Sequence, residues 1–231
     1  MISKWVDKDK KHFQSLTASA SGQVSSNDSL GRYIQKAASK PSNKVFLEVG
    51  TWNGLGSTKC FIDILLERSD EYQFFTLESN REKWLVARER YLPDRRIMFL
   101  NEVILHHPPS LMRLFRYFPH FPYTLKRLQW VLQRIKGFYV DRTNMSGAKV
   151  FFDRPALPKR FDVVFLDGAE HITYFEYRAL QSMTTEFILD DVLTDKSKRI
   201  RAELGASTKW ELMAEDLALR NGWSAYRRLD R

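Results

Sequence analysis

Acidic side chains recur in this 231-residue chain at one kind of place, at or just after the end of a short apolar run. Glu48 lies near the end of residues 44–49 and is followed by Gly50-Thr51-Trp52-Asn53-Gly54-Leu55-Gly56-Ser57. Glu78 follows residues 72–77, Asp167 follows 161–166, and Asp190 and Asp191 follow 186–189. If these runs are parallel strands, ligands bind beyond their carboxyl ends, where all of these side chains would gather. The glycines let the backbone turn tightly and approach a ligand, and the helix that follows offers unpaired N–H groups to an anion. Their spacing is not that of the dinucleotide fingerprint G-x-G-x-x-G. Glu78 comes 28 residues after Gly50, and a carboxylate there can accept from both hydroxyls of a ribose. Taken singly, turn glycines and a solvated cap would explain each feature. In this order, at successive strand ends, they point to a nucleoside.

The second group is Asp167, Asp190 and Asp191. Two adjacent strand ends can bring three carboxyl groups together, and hard oxygen ligands suit Mg²⁺ or Mn²⁺. Without a cation, such a cluster repels itself and raises its own pKa values. The competing reading has Asp167 serving the cofactor region while Asp190 and Asp191 cap the next helix. Metal binding is the expectation carried forward.

The elements that must position these residues follow from hydrophobic pattern and punctuation. Strands are expected over 44–49, 72–77, 96–100, 161–166 and 186–189, with helices over 30–39, from the Gly turn to 66, 81–91, 173–183 and 196–204. Two further strands, 210–215 and 223–229, flank Arg220-Asn221-Gly222 and suggest a hairpin. Alternating strand and helix imply an α/β fold, a mostly parallel sheet with helices on both faces and an antiparallel C-terminal edge.

The ordered set resembles the class I S-adenosylmethionine-dependent methyltransferases over about residues 30–100 and 160–231. Residues 45–57 resemble motif I, with Glu48 and Gly50 in its E-x-G positions; Phe161-Asp162-Val163-Val164-Phe165-Leu166-Asp167 resembles the fourth-strand motif, and Ile188-Leu189-Asp190-Asp191 the fifth. The resemblance implies a seven-stranded Rossmann-like fold and S-adenosylmethionine as cofactor. Its cradle would comprise Glu48, Gly50, Thr51, Asn53, Gly54, Ser57, Glu78 and Asp167. Asp167, Asp190 and Asp191 sit where catechol and macrolide-sugar O-methyltransferases bind a metal. Such an ion would hold two oxygens of a diol and lower the pKa of one hydroxyl. Glu170 falls at the position of the catechol enzymes' catalytic lysine, and His171 beside it is an equal candidate base. The sugar enzymes often carry an Asp where this chain has Ala169. Similarity to small methyltransferases of surface-glycan biosynthesis implies a sugar or glycan hydroxyl as acceptor. The alternatives are an RNA methyltransferase, or a non-catalytic cofactor-binding module docking a glycosyltransferase or a membrane.

Charge and composition add a third feature. Residues 103–150 carry a net +7 of the chain's +9, with four of its eight prolines and three of its five histidines. This is more chain than a crossover needs, so an insertion is expected there after strand three. Within it, Leu125, Leu128, Val131, Leu132 and Ile135 form the stripe of a helix over 124–136. The stripe could pack on the domain or on a second copy of the chain as a homodimer, or it could act as a lid. The basic and aromatic surface could instead meet an anionic membrane or nucleic acid; packing or lid is carried forward. His106 and His107 are an adjacent pair and weak evidence for metal. Residues 1–29 read as an arm that contributes to the lid, and 30–231 as the methyltransferase domain. Cys60, the one cysteine, lies in an apolar helical run and reads as a buried thiol. Residues 1–13 lack a signal peptide's apolar run, no run approaches the roughly 20 apolar residues that span a bilayer, and the expected compartment is the cytoplasm.

Overall fold

The structure, a computed structural model, describes residues 23–105, 135–136, 139, 142–145 and 147–230. The helix expected over 124–136 therefore lies almost wholly outside the described residues, as do His106, His107 and residues 1–22.

The described residues begin with α1 (Ser29–Ser39) as their first element, its first turn closed by the side chain of Asp28 accepting from the amide of Gly31 at 2.7 Å. There follow β1 (Val45–Val49), α2 (Ser57–Leu65), β2 (Gln73–Leu77), α3 (Arg81–Arg90) and β3 (Ile97–Leu100). Asn80 caps α3 by accepting from the amides of Glu82 and Lys83. After the insertion come β6 (Phe161–Leu166), α4 (Thr173–Leu180), β7 (Thr184–Leu189), α5 (Lys198–Gly205), β8 (Trp210–Asp216) and β9 (Trp223–Arg228). The seven long strands form one sheet in the order β3-β2-β1-β6-β7-β9-β8. All pairs are parallel except β7–β9 and β8–β9, so the C-terminal pair is the expected antiparallel hairpin.

The strands sort their side chains with period two. On one face Leu47, Val49, Phe75, Leu77, Val164, Leu166, Phe187 and Leu189 pack with Tyr177 and Leu180 of α4 and Ile200 and Leu204 of α5. On the other, Phe46, Phe74, Val163, Phe165 and Ile188 meet Ile34 of α1 and Phe61 and Leu65 of α2. Both faces are thus covered, which explains why β1 and β6 read as nearly unbroken apolar runs. Cys60 is buried in the second layer, as a structural thiol.

The sequence pattern gave no sign of one element. β4 (Glu102–Val103) pairs in parallel with β5 (Lys149–Val150), Glu102 opposite Lys149 and Val103 opposite Val150. Two residues carry no measurable periodicity. Their effect is nonetheless large, because the chain leaves for the basic segment and returns from it at one fixed point beside the carboxyl end of β3. No helix among the described residues is long and apolar enough to cross a membrane.

Candidate active site

At the carboxyl end of the sheet, β1 leads on to β2 on one side while β6 lies on the other, so the loops after these strands diverge and leave a crevice. A cavity of about 630 Å³ fills it, lined by the segments after β1, β2, β6 and β7, by Glu102 and Val103, and by Asn144 and Met145.

The floor is set by the β1 loop. Gly50 has φ +103°, and a Cβ built on it would come within 2.2 Å of the carbonyl oxygen of Asp167. The amides of Gly50 and Thr51 both donate to the carbonyl of Leu77, and that of Asp167 to Val49. Three strand ends are thereby sewn together where only glycine fits. Glu48 works behind this floor. It is fully buried and does not line the cavity; it accepts from Ser57 Oγ at 2.6 Å, Thr58 Oγ1 at 2.7 Å and Thr76 Oγ1 at 2.5 Å. It braces α2 and β2 against β1. Asn53 and Gly54 also lie off the cavity wall, held by Arg90 and Tyr91 of and just after α3, which donate to their carbonyls. Thr51, Ser57 and Gly50 do line it.

Burial pushes the Glu48 carboxyl up to about 7, against the opposing pull of the three hydroxyls. The unfolded chain holds the same group at 4.5. Folding therefore takes up a proton between these limits, and the associated stability is complete below pH 4.5 and is lost as pH rises to about 7. A rise of that size is worth on the order of 3 kcal/mol. Glu48→Gln, which keeps the shape and removes the charge, is expected to flatten this part of the profile. Urea unfolding of both proteins at pH 5 and pH 7.5 checks it: equal slopes in the two would remove Glu48 as the source.

Glu78 stands at the end of β2, 8% exposed, and lines the cavity. Its Oε2 accepts from the amide of Trp52 at 2.9 Å and its Oε1 from that of Asn80 at 2.8 Å. Each oxygen is thus fixed by one backbone donor and keeps lone-pair capacity for another. Trp52, at φ 54°, is half exposed at the rim with Lys83 Nζ 3.4 Å from its ring centroid. Glu102 follows β3 as Glu78 follows β2. Its Oε1 accepts from Arg154 at 2.6 Å, and its Oε2 is buried without a hydrogen-bond partner among the described residues. Beside it Val103, Met145 and Ile172 form a small apolar cluster with Ala169. A flat heterocycle bearing an amino group fits such walls.

The other end, after β6 and β7, is ionic. Asp167, Asp190 and Asp191 come together as expected, but a side chain from outside the expected set lies among them. Lys196 Nζ is 2.5 Å from Asp167 Oδ1 and 2.6 Å from Asp191 Oδ2. Asp191 also accepts from Asn221 at 2.9 Å, and Arg220 approaches Asp190 to 3.9 Å. Burial together with the charges of Asp167 and Asp191 pushes Asp190 up to about 7, whereas Lys196 and Asn221 hold Asp191 below the usual carboxylate range. Among the described residues no three His, Cys, Asp or Glu side chains are arranged to hold a metal ion. The expected Mg²⁺ or Mn²⁺ ligands are thus a lysine-neutralised cluster, and a divalent ion does not fit them as they stand. Of the two expected bases, Glu170 is exposed and His171 is buried, and neither lines the cavity.

Solved structures place this architecture. The chain superposes on a Klebsiella pneumoniae protein assigned to the O-methyltransferases with a TM-score of 0.57, at 17% identity, over 96% of this chain and 88% of that one. A Bacillus cereus O-methyltransferase in complex with SAH matches at 0.56 and 14% identity, over 96% and 90%. An SAH-bound Podospora anserina methyltransferase matches at 0.56 and 13%, over 99% and 94%. The fold is that of the Rossmann-like methyltransferases. At such identities the likeness is one of fold, and no family model or curated protein sequence matches the chain. Within this methyltransferase fold, Lys196, Glu102, Arg220 and Met145 are among the cavity residues outside the expected site set. Glu102 had a signal, an acid just after a strand, as for Glu78. Lys196 had none, since a lysine ahead of a helix reads as solvated.

Proposed function

We propose that the chain is an S-adenosylmethionine-dependent O-methyltransferase whose acceptor is a sugar or glycan hydroxyl. The observation that carries the reading is Glu78. It is a buried carboxylate with both oxygens held by backbone amides, facing a crevice of this fold beside a turn that only glycine can make. Such a group accepts from a ribose, while the walls of Val103, Met145 and Ile172 suit the flat face of an adenine. The nucleoside then occupies the β2–β3 side. Asp167 and Asp190, on the other side of the crevice, would face the acceptor when the cofactor is bound.

Bound there, S-adenosylmethionine would supply an electrophilic methyl group for the acceptor oxygen and leave as S-adenosylhomocysteine, and the acceptor's proton would pass to a carboxylate of this chain. We assign this proton to Asp190, the one of the three clustered aspartates that Lys196 does not hold, rather than to Glu170 or His171. A lining of Asp, Asn, Arg and Lys suits a polyhydroxylated acceptor; the glycan itself rests on the sequence resemblance.

The experiment is transfer of a labelled methyl group from S-adenosylmethionine to a panel of free and nucleotide-linked sugars. Transfer to a sugar that falls at least about a hundredfold in Asp190→Asn is expected, the range typical of a general base. Transfer to RNA alone, weakening steeply with salt, would replace the acceptor. Cofactor binding with no transfer to any acceptor would leave a binding module.

A further inference from the structure

The carboxylate cluster after β6 and β7 needs a cation, and the chain supplies one itself. We propose that Lys196 takes here the position that a divalent ion takes in a three-carboxylate site, so that the acceptor end works with a fixed ammonium in place of a metal. The ammonium bridges Asp167 and Asp191 at 2.5 and 2.6 Å, and the lysine side chain is only 14% exposed. A Mg²⁺ ion must sit about 2.0–2.1 Å from its ligand oxygens, so it cannot share these two with the ammonium and would have to expel it.

The placement is built into the backbone. Asp191 turns the chain with φ 55°. The amides of Val192 and Leu193 then donate to the carbonyls of Gly222 and Asn221, which fastens the loop to the β8–β9 turn. Thr194 Oγ1 donates to the carbonyl of Asp191 at 3.0 Å and accepts from the amide of Lys196 at 3.3 Å. This turn brings residue 196 back over the strand ends it has just left. Arg220, whose Nη1 donates to Asp28 at 2.8 Å, supplies a second cation facing Asp190. Two fixed positive charges thus offset most of the negative charge of the three carboxylates.

The substitution narrows the acceptor. A metal grips two oxygens of a diol, whereas an ammonium has three donors, two of them committed to Asp167 and Asp191. The third can hold one oxygen. The acceptor class is therefore a single hydroxyl flanked by other polar groups, with no need for a vicinal diol. This narrowing rests on the O-methyltransferase reading; the replacement of the metal does not.

The test is calorimetric titration of Mn²⁺ into the cofactor-free protein, with uptake that persists in Asp190→Ala taken as surface background. The wild type is expected to show no further uptake up to about 1 mM Mn²⁺, while Lys196→Ala binds one ion at least about tenfold more tightly, its carboxylates being released as hard ligands. Lys196→Gln keeps the length of the side chain without its charge and is expected to gain the same site, which covers the case in which the alanine variant does not fold. Wild-type uptake abolished by Asp190→Ala would overturn the proposal, and so would failure of the folded Lys196 variants to gain uptake. Because no cofactor takes part, either result leaves the methyltransferase reading standing. That reading fails separately, if S-adenosylhomocysteine does not bind.

Discussion

Gly50→Ala is expected to lower stability by about 3–5 kcal/mol and to abolish binding of S-adenosylhomocysteine. Two effects add. A non-glycine residue in the left-handed region costs about 1–2 kcal/mol, and φ +103° lies well beyond the region's usual centre. The new methyl would also meet the carbonyl oxygen of Asp167 at 2.2 Å, which is backbone and cannot rotate away. Relief requires the β1 and β6 ends to part, and that breaks the floor on which Thr51 and Glu78 are arranged. Urea unfolding of the variant measures the first effect. Gly54→Ala supplies the comparison, because φ is +79° there but the nearest atoms are side chains at 3.2 and 3.3 Å; about 1–2 kcal/mol is expected. Gly147→Ala, with nothing within 4 Å among the described residues, should be near neutral. Equal losses at Gly50 and Gly54 would show that φ alone matters and that the close approach to Asp167 does not.

Glu78→Gln is expected to weaken S-adenosylhomocysteine binding by about ten- to a hundredfold while leaving the protein folded. A hydrogen bond to a charged acceptor is worth about 1.5–3 kcal/mol, and the amide half of glutamine can only donate. One oxygen must still serve the amide of Trp52 or of Asn80. The other is replaced by an NH₂ facing a ribose hydroxyl or a backbone N–H. Binding measured by calorimetry, with a circular-dichroism melt to show folding, checks it. Unchanged affinity would remove Glu78 from the cradle.

How much of this was legible in the sequence depends on whether a residue's task is local. Phe161–Leu166 was read at its true bounds because a run with five apolar residues out of six ends in Asp-Gly. The C-terminal hairpin was read from Arg220-Asn221-Gly222, and two of these three adopt the positive φ that the turn requires. Glu78, Asp167, Asp190 and Asp191 gather at the cavity because a strand end is a local signal that the topology turns into proximity. What local signals could not decide was anything set by the path of a loop. Whether Glu48 faces the ligand or braces the helix behind it depends on where Ser57, Thr58 and Thr76 place their hydroxyls. Whether three aspartates hold a metal or a lysine depends on how residues 191–196 turn. Glu170 and His171 were expected from the position of the catechol enzymes' lysine, three residues beyond Asp167, whereas the bend before α4 brings Ile172 and Glu176 to the cavity wall. The two-residue strands β4 and β5 are too short for any pattern, although they fix where the basic segment joins the site.

The measurement that bears most directly on the central claim is calorimetric titration of the wild-type protein with S-adenosylhomocysteine, once with excess Mg²⁺ and once with EDTA. The account predicts one site per chain with micromolar affinity, about −8 kcal/mol, and the same affinity in both conditions. No binding in either would contradict it and leave the methyltransferase fold serving another ligand.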